Sequence, residues 1–257
     1  MFFVHGYASG APYKITEAEF LNLSRSELHN IFKKYINQSN LPINEDFSGR
    51  IVLDIEDPVH LSNIGQIKES DLERYKVALE LRVEVARSFF PNAKIGLHGL
   101  YATSIRCWET PNDSIRYDSI VNADRNHNFY NFIDFGTAVS YLREVPPLLG
   151  RDVNNCIAEK VTNSLKKLKQ DGFELDMLPL LSLRLYNANS KEDLTWIKNK
   201  NNSPNSLFLS LVKQVQHFKN SGYSELYFWH PHLETRPANY NDWNIEDILE
   251  NILEKIQ

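Results

Sequence analysis

The chain has 257 residues, a length that one α/β barrel commonly fills as a single domain, and this organisation is expected here for residues 1–257. Hydrophobic residues make up 42% and aromatic residues 12%, enough for a packed core with aromatics left over to line a cleft. The net charge of −5, with no basic block, argues against a nucleic-acid partner. No run of about 18 or more apolar residues is present, so no membrane span is expected.

The first residues, Met1-Phe2-Phe3-Val4-His5-Gly6, lack the charged and apolar regions of a signal peptide. The chain is then either cytoplasmic or a secreted or periplasmic protein whose signal has been removed. Cys107 and Cys156 fit one disulfide or two buried thiols equally well.

In chain order, Phe2 to Tyr7 is a strand candidate. Thr16-Glu17-Ala18-Glu19 and Ser24-Arg25-Ser26-Glu27 fit the capping-box pattern, and apolar spacing continues to Ile36. Arg50 to Glu56 is a second strand. Ser70-Asp71-Leu72-Glu73 is expected to cap a helix whose apolar positions, Leu72, Tyr75, Leu79, Val83, Ala86 and Phe90, recur at three and four; Pro91 stops it. A third strand covers Ala93 to Tyr101. A polar stretch from Thr103 to Asn112 leads to a helix over Asp118 to Phe132. Thr137 to Leu142 is a fourth strand. Asp152 to Gln170 is a helix closed by Gly172, and Met177 to Tyr186 a fifth strand. Asn205 to Asn220 is a helix closed by Gly222, Ser224 to His230 a sixth strand, and Ile245 to Ile256 a terminal helix.

This alternation, with no linker and no repeat, predicts an α/β fold with a parallel sheet and helices outside it. An irregular (β/α) barrel of the TIM type with fewer than eight strands fits best, because polar and aromatic groups close the strands all along the chain. In such a barrel the C-terminal strand ends converge on one pocket. Those ends carry His5 and Tyr7; Asp54, Glu56 and Asp57; His98 and Tyr101; Tyr141 and Arg143; Arg184 and Tyr186; and Trp229, His230 and His232. No glycine-rich phosphate loop follows any strand.

Arg50-Ile51-Val52-Leu53-Asp54-Ile55-Glu56-Asp57-Pro58 is the most telling segment. An apolar run ends in two carboxylates spaced two apart, which in a strand share one face. Crowded acids titrate unequally, giving one acid and one base. The structural alternative is a pair held by an arginine or a helix terminus, but two acids closing an apolar strand are costly to place there without cause.

The order of these motifs resembles the hyaluronidase-type glycoside hydrolases over roughly residues 50 to 250. Val52-Leu53-Asp54-Ile55-Glu56-Asp57-Pro58 matches an Asp-x-Glu pair at an early strand end. Gly96 to Tyr101 is similar to a strand ending in Gly and Tyr, Leu183-Arg184-Leu185-Tyr186 to an Arg-x-x-Tyr-like ending, and Tyr227-Phe228-Trp229 to a late strand ending in Trp. Ile55 departs from the aromatic residue of that family, Asp57 adds an acid, and the negative net charge does not suit a polyanionic substrate. Lysozyme-like barrels of a second family also carry Asp-x-Glu at a strand end.

The resemblance implies retaining, substrate-assisted hydrolysis of glycans that contain N-acetylhexosamine, with no cofactor and no metal. Glu56 would be the acid and base, and Asp54 would orient the acetamido group. Tyr101, Tyr186, Trp229, Arg184, Asp57 and His98 are the expected substrate contacts. Two other readings start from the same residues. One is a barrel without catalysis that binds a carbohydrate or a protein. The other is a metal-dependent hydrolase using His230 and His232 with Asp54 or Glu56, joined by His5 and His98.

Overall fold

A computed structural model of the chain describes residues 2–3, 16–39, 44–55, 61–102, 112–141, 153–182, 206–229 and 245–256. Six strands alternate with helices, and they hydrogen-bond in chain order, β1 to β6. The strands are β1 (Phe2–Phe3), β2 (Arg50–Leu53), β3 (Lys94–Ala102), β4 (Phe135–Val139), β5 (Asp176–Ser182) and β6 (Tyr227–Trp229). The helices are α1 (Glu17–Asn22), α2 (Arg25–Ser39), α3 (Glu69–Phe89), α4 (Asn112–His127), α5 (Val153–Gln170), α6 (Ser206–Asn220) and α7 (Ile245–Ile256). Alternation of strands with helices, and parallel pairing, is the α/β architecture expected of an irregular (β/α) barrel.

The chain groups into two compact units. The first comprises Met1–Ser104, Thr110–Ala138 and Ser164–Met177, and the second Ile105–Glu109, Val139–Asn163 and Leu178–Gln257.

In the first unit, β1 pairs in parallel with β2, Phe3 opposite Leu53. β2 pairs in parallel with β3 from Arg50 opposite Lys94 to Leu53 opposite Leu97. Ile51, Val52, Leu53, Ile95 and Leu97 are all buried, as both faces of a covered parallel sheet require. Gly96 lets the Phe135 ring lie directly on β3, since a Cβ there would come within 2.6 Å of it. The Arg50 guanidinium lies over the same ring, 5.3 Å from the Phe135 centroid. Both capping boxes form: Glu19 Oε2 accepts from Thr16 N–H at 2.8 Å, and Glu27 Oε2 from Ser24 N–H at 2.8 Å. α1 and α2 both pack on α3. There Arg82, 1% exposed, donates to Phe20 O at 3.0 Å and Ala78 O at 2.6 Å, with its guanidinium 4.0 Å from the Phe20 ring centroid. It thereby satisfies a carbonyl at the end of α1 that the helix itself leaves open.

In the second unit, β5 pairs in parallel with β6, Leu180 opposite Tyr227 and Ser182 opposite Trp229. α6 packs on α7, and Lys219 Nζ donates to Ile256 O at 3.3 Å. Thr162 Oγ1 donates to Ala158 O and lies 3.0 Å from His217 Nε2, which makes that ring nitrogen the donor. Cys156, on α5, is disulfide-bonded. Cys107 lies outside the described residues.

Several elements differ from expectation. α3 starts two residues before the predicted cap: its N-cap is Lys68, which gives no side-chain cap bond, so Ser70 lies within the helix. A short 3-10 helix at Leu61–Gln66 precedes it and delivers the chain to that earlier start; the sequence showed no periodic signal for it. α4 begins at Asn112 and ends at His127, because Asn128 takes a left-handed conformation (φ 46°) that ends the turn. Lys76 Nζ then caps the free His127 carbonyl at 3.0 Å. Phe129, Tyr130, Phe132 and Ile133 are buried in the turns that follow, which explains why their apolar spacing imitated a helix. β4 lies two residues earlier than predicted. The glycine stops of α5 and α6 hold: Gly172 and Gly222 have φ of 87° and 93°, and the next residues, Phe173 and Tyr223, donate back to Leu168 O and Phe218 O.

Candidate active site

The ladder between β2 and β3 ends with Leu53 opposite Leu97. The next residues on the two strands are Asp54 and His98, and the register alone places them side by side. Both are buried, Asp54 3% and His98 4% exposed. Asp54 Oδ1 lies 2.8 Å from His98 Nδ1. The approach is close but off the line of an aligned hydrogen bond.

Thr137, from the middle of β4, braces the backbone on both sides of His98. Its Oγ1 accepts from Gly99 N–H at 2.9 Å and donates to Leu97 O at 3.4 Å. Gly99 has φ 63°, a conformation that takes its N–H out of the regular ladder and leaves it for a side-chain acceptor. Thr137 is 0% exposed, and its role became visible only once β3 and β4 were adjacent. A hydroxyl at the first residue of the predicted fourth strand is the signal that could have found it.

Tyr101 is three residues beyond His98, with the left-handed Gly99 between them. Its ring is fully buried, and its hydroxyl donates to Ser164 Oγ on α5 at 2.6 Å. His98 and Tyr101, grouped as one strand end from the sequence, are thus directed to different neighbours. Trp229 is the last residue of β6, in register with Ser182. Glu56, Asp57, Arg184 and Tyr186 lie outside the described residues, as do His5, Tyr7, Arg143, His230 and His232. β2 ends at Leu53, so the same-face relation expected of Asp54 and Glu56 is not carried by the strand ladder.

Among the described residues, no group of three or more His, Cys, Asp or Glu side chains is placed to hold a metal ion. No helix among them is long and apolar enough to cross a membrane. The arrangement that does exist is a buried carboxylate, with a basic partner, just past the C-terminal end of a parallel strand. This is the place where folds of this type carry their reactive groups.

No family model and no curated protein sequence matches the chain. Solved structures do. The chain is similar to bee venom hyaluronidase in complex with a hyaluronic acid tetramer, with a TM-score of 0.54 and 12% identity over 98% of this chain and 83% of that one. A monoclinic crystal structure of bee venom hyaluronidase gives a TM-score of 0.53 and 12% identity over 91% of this chain and 76% of that one. At such identity the likeness is one of fold. The chain therefore has an alternating α/β fold of the TIM-barrel type, distantly related in structure to the hyaluronidases.

Proposed function

We propose that this protein is a glycoside hydrolase acting on N-acetylhexosamine-containing glycans with retention of configuration. The observation that carries the reading is the burial of Asp54 immediately beyond β2, in a fold shared with enzymes named for cleaving a glycan. A carboxylate out of water costs roughly several kcal/mol unless compensated. A structural strand end gains nothing from that cost; a site that must stabilise charge on a bound sugar does.

In the proposed reaction the carboxyl proton of Glu56 passes to the glycosidic oxygen as the bond to C1 breaks. The substrate's own acetamido oxygen attacks C1 from the opposite face, closing an oxazolinium ring. Asp54 accepts the acetamido N–H, orients the group and balances its developing positive charge. Glu56, now a carboxylate, takes a proton from water, which opens the ring at C1 with the original configuration. Arg184, Tyr186, Asp57 and Trp229 are proposed to bind the sugar, and Tyr101 to hold β3 on α5. The net charge of −5 favours a neutral glycan over a polyanion.

The test is release of reducing ends from a panel of N-acetylated glycans by the wild type and by Glu56→Gln. Release by the wild type that disappears in a variant of unchanged circular dichroism supports the reading. No release from any glycan, or equal release by both, contradicts it.

A further inference from the structure

Outside the proposed acid and base, the most unusual group in the first unit is His98. It is an imidazole almost wholly removed from water, with Nδ1 2.8 Å from Asp54 Oδ1. We infer that His98 is the positioning residue that holds the Asp54 side chain in one orientation for its work on the acetamido group. This rests on the glycosidase reading and names a residue through which that site is controlled.

Three observations support it. The parallel register brings the two residues side by side, since Leu53 is opposite Leu97. The backbone on either side of His98 is fixed by the Thr137 hydroxyl, at Leu97 O and Gly99 N, so the ring is carried on a braced segment. Finally, the neighbours in both strands, Leu53, Ile55, Leu97 and Leu100, are buried and apolar, so an attraction between imidazole and carboxylate is little screened there.

Nitrogen NMR of histidine-labelled protein tests the pair without any assay. The chain has eight histidines, and the signals lost in His98→Asn identify the ring. In the wild type Nδ1 should carry the proton, and both ring nitrogens should shift in Asp54→Asn. Ring signals unaffected by Asp54→Asn would overturn the inference. On a glycan cleaved by the wild type, His98→Leu should lower kcat about a hundredfold with KM little changed. His98→Asn, whose amide N–H reaches the position of Nδ1, should recover most of that loss. An equal fall in both variants, or a fall confined to KM, contradicts a positioning role. A wild type inactive on every glycan overturns the glycosidase reading and the catalytic purpose of the pair; ring signals that still respond to Asp54→Asn mark that failure as distinct from failure of the pair.

Discussion

The first unit buries two basic side chains almost completely, Arg82 on α3 and His98 on β3, and their surroundings differ. Arg82 donates to backbone carbonyls of α1 and of its own helix and lies over the Phe20 ring. Its partners are neutral groups that belong to the scaffold, and its effect is to join two helices. His98 faces a second ionisable group, Asp54, at the end of a strand where the ladder has stopped. Burial alone therefore does not mark a site. Burial of an acidic side chain against a basic one at a strand end, with no helix to cap, does.

That contrast sets four expectations, from the largest effect to the smallest. Asp54→Asn should lower kcat by about two to three orders of magnitude, the cost of removing one charge-stabilising group. Its unfolding free energy, followed in urea, should change far less. Arg82→Leu should do the reverse: about 3 kcal/mol of stability lost, because Phe20 O loses its charged donor, with kcat of the folded fraction retained. If Arg82→Leu abolished kcat while remaining folded, the division between scaffold and site would be wrong.

Gly99→Ala should cost about 1–2 kcal/mol, from the left-handed backbone, and also reduce activity through the neighbouring His98. A stability loss without loss of activity would detach the Thr137 brace from the site. Thr16→Ala, far from the site, should cost about 1 kcal/mol and leave kcat alone. The capping boxes also shape the acid limb of the stability curve. The Thr16 N–H, then its hydroxyl, hold the Glu19 carboxyl below its ordinary range; the Ser24 hydroxyl, then its N–H, do the same for Glu27. Both folded values lie below the unfolded ones, so this contribution is complete above the ordinary carboxylate range and is lost as pH falls through the folded values. Urea unfolding across the acid range should show a shallower loss in the double variant Thr16→Ala, Ser24→Ala.

Much of the fold was legible in the sequence because its signals are local. The capping boxes at Thr16 and Ser24, the glycines after α5 and α6, and the strand-helix alternation each act within a few residues. What was not legible depended on partners distant in sequence. The start of α3 at Glu69 follows from the 3-10 helix before it, and the end of α4 from one asparagine in a left-handed conformation. Asp54 and His98 were both recognisable as strand-end residues, but their contact needs the register of β2 against β3, which neither segment contains. Tyr101 was likewise recognisable as a strand-end residue, but its Ser164 partner lies on α5, outside its own segment.

The central claim is that Asp54 stabilises a cyclised acetamido group. Calorimetry with thiazolines derived from N-acetylglucosamine and N-acetylgalactosamine, stable mimics of that ring, tests it most directly. The account predicts that the wild type binds one of them and that Asp54→Asn binds it at least about tenfold more weakly. Equal binding by the two proteins, or no binding of either thiazoline by the wild type, would contradict it.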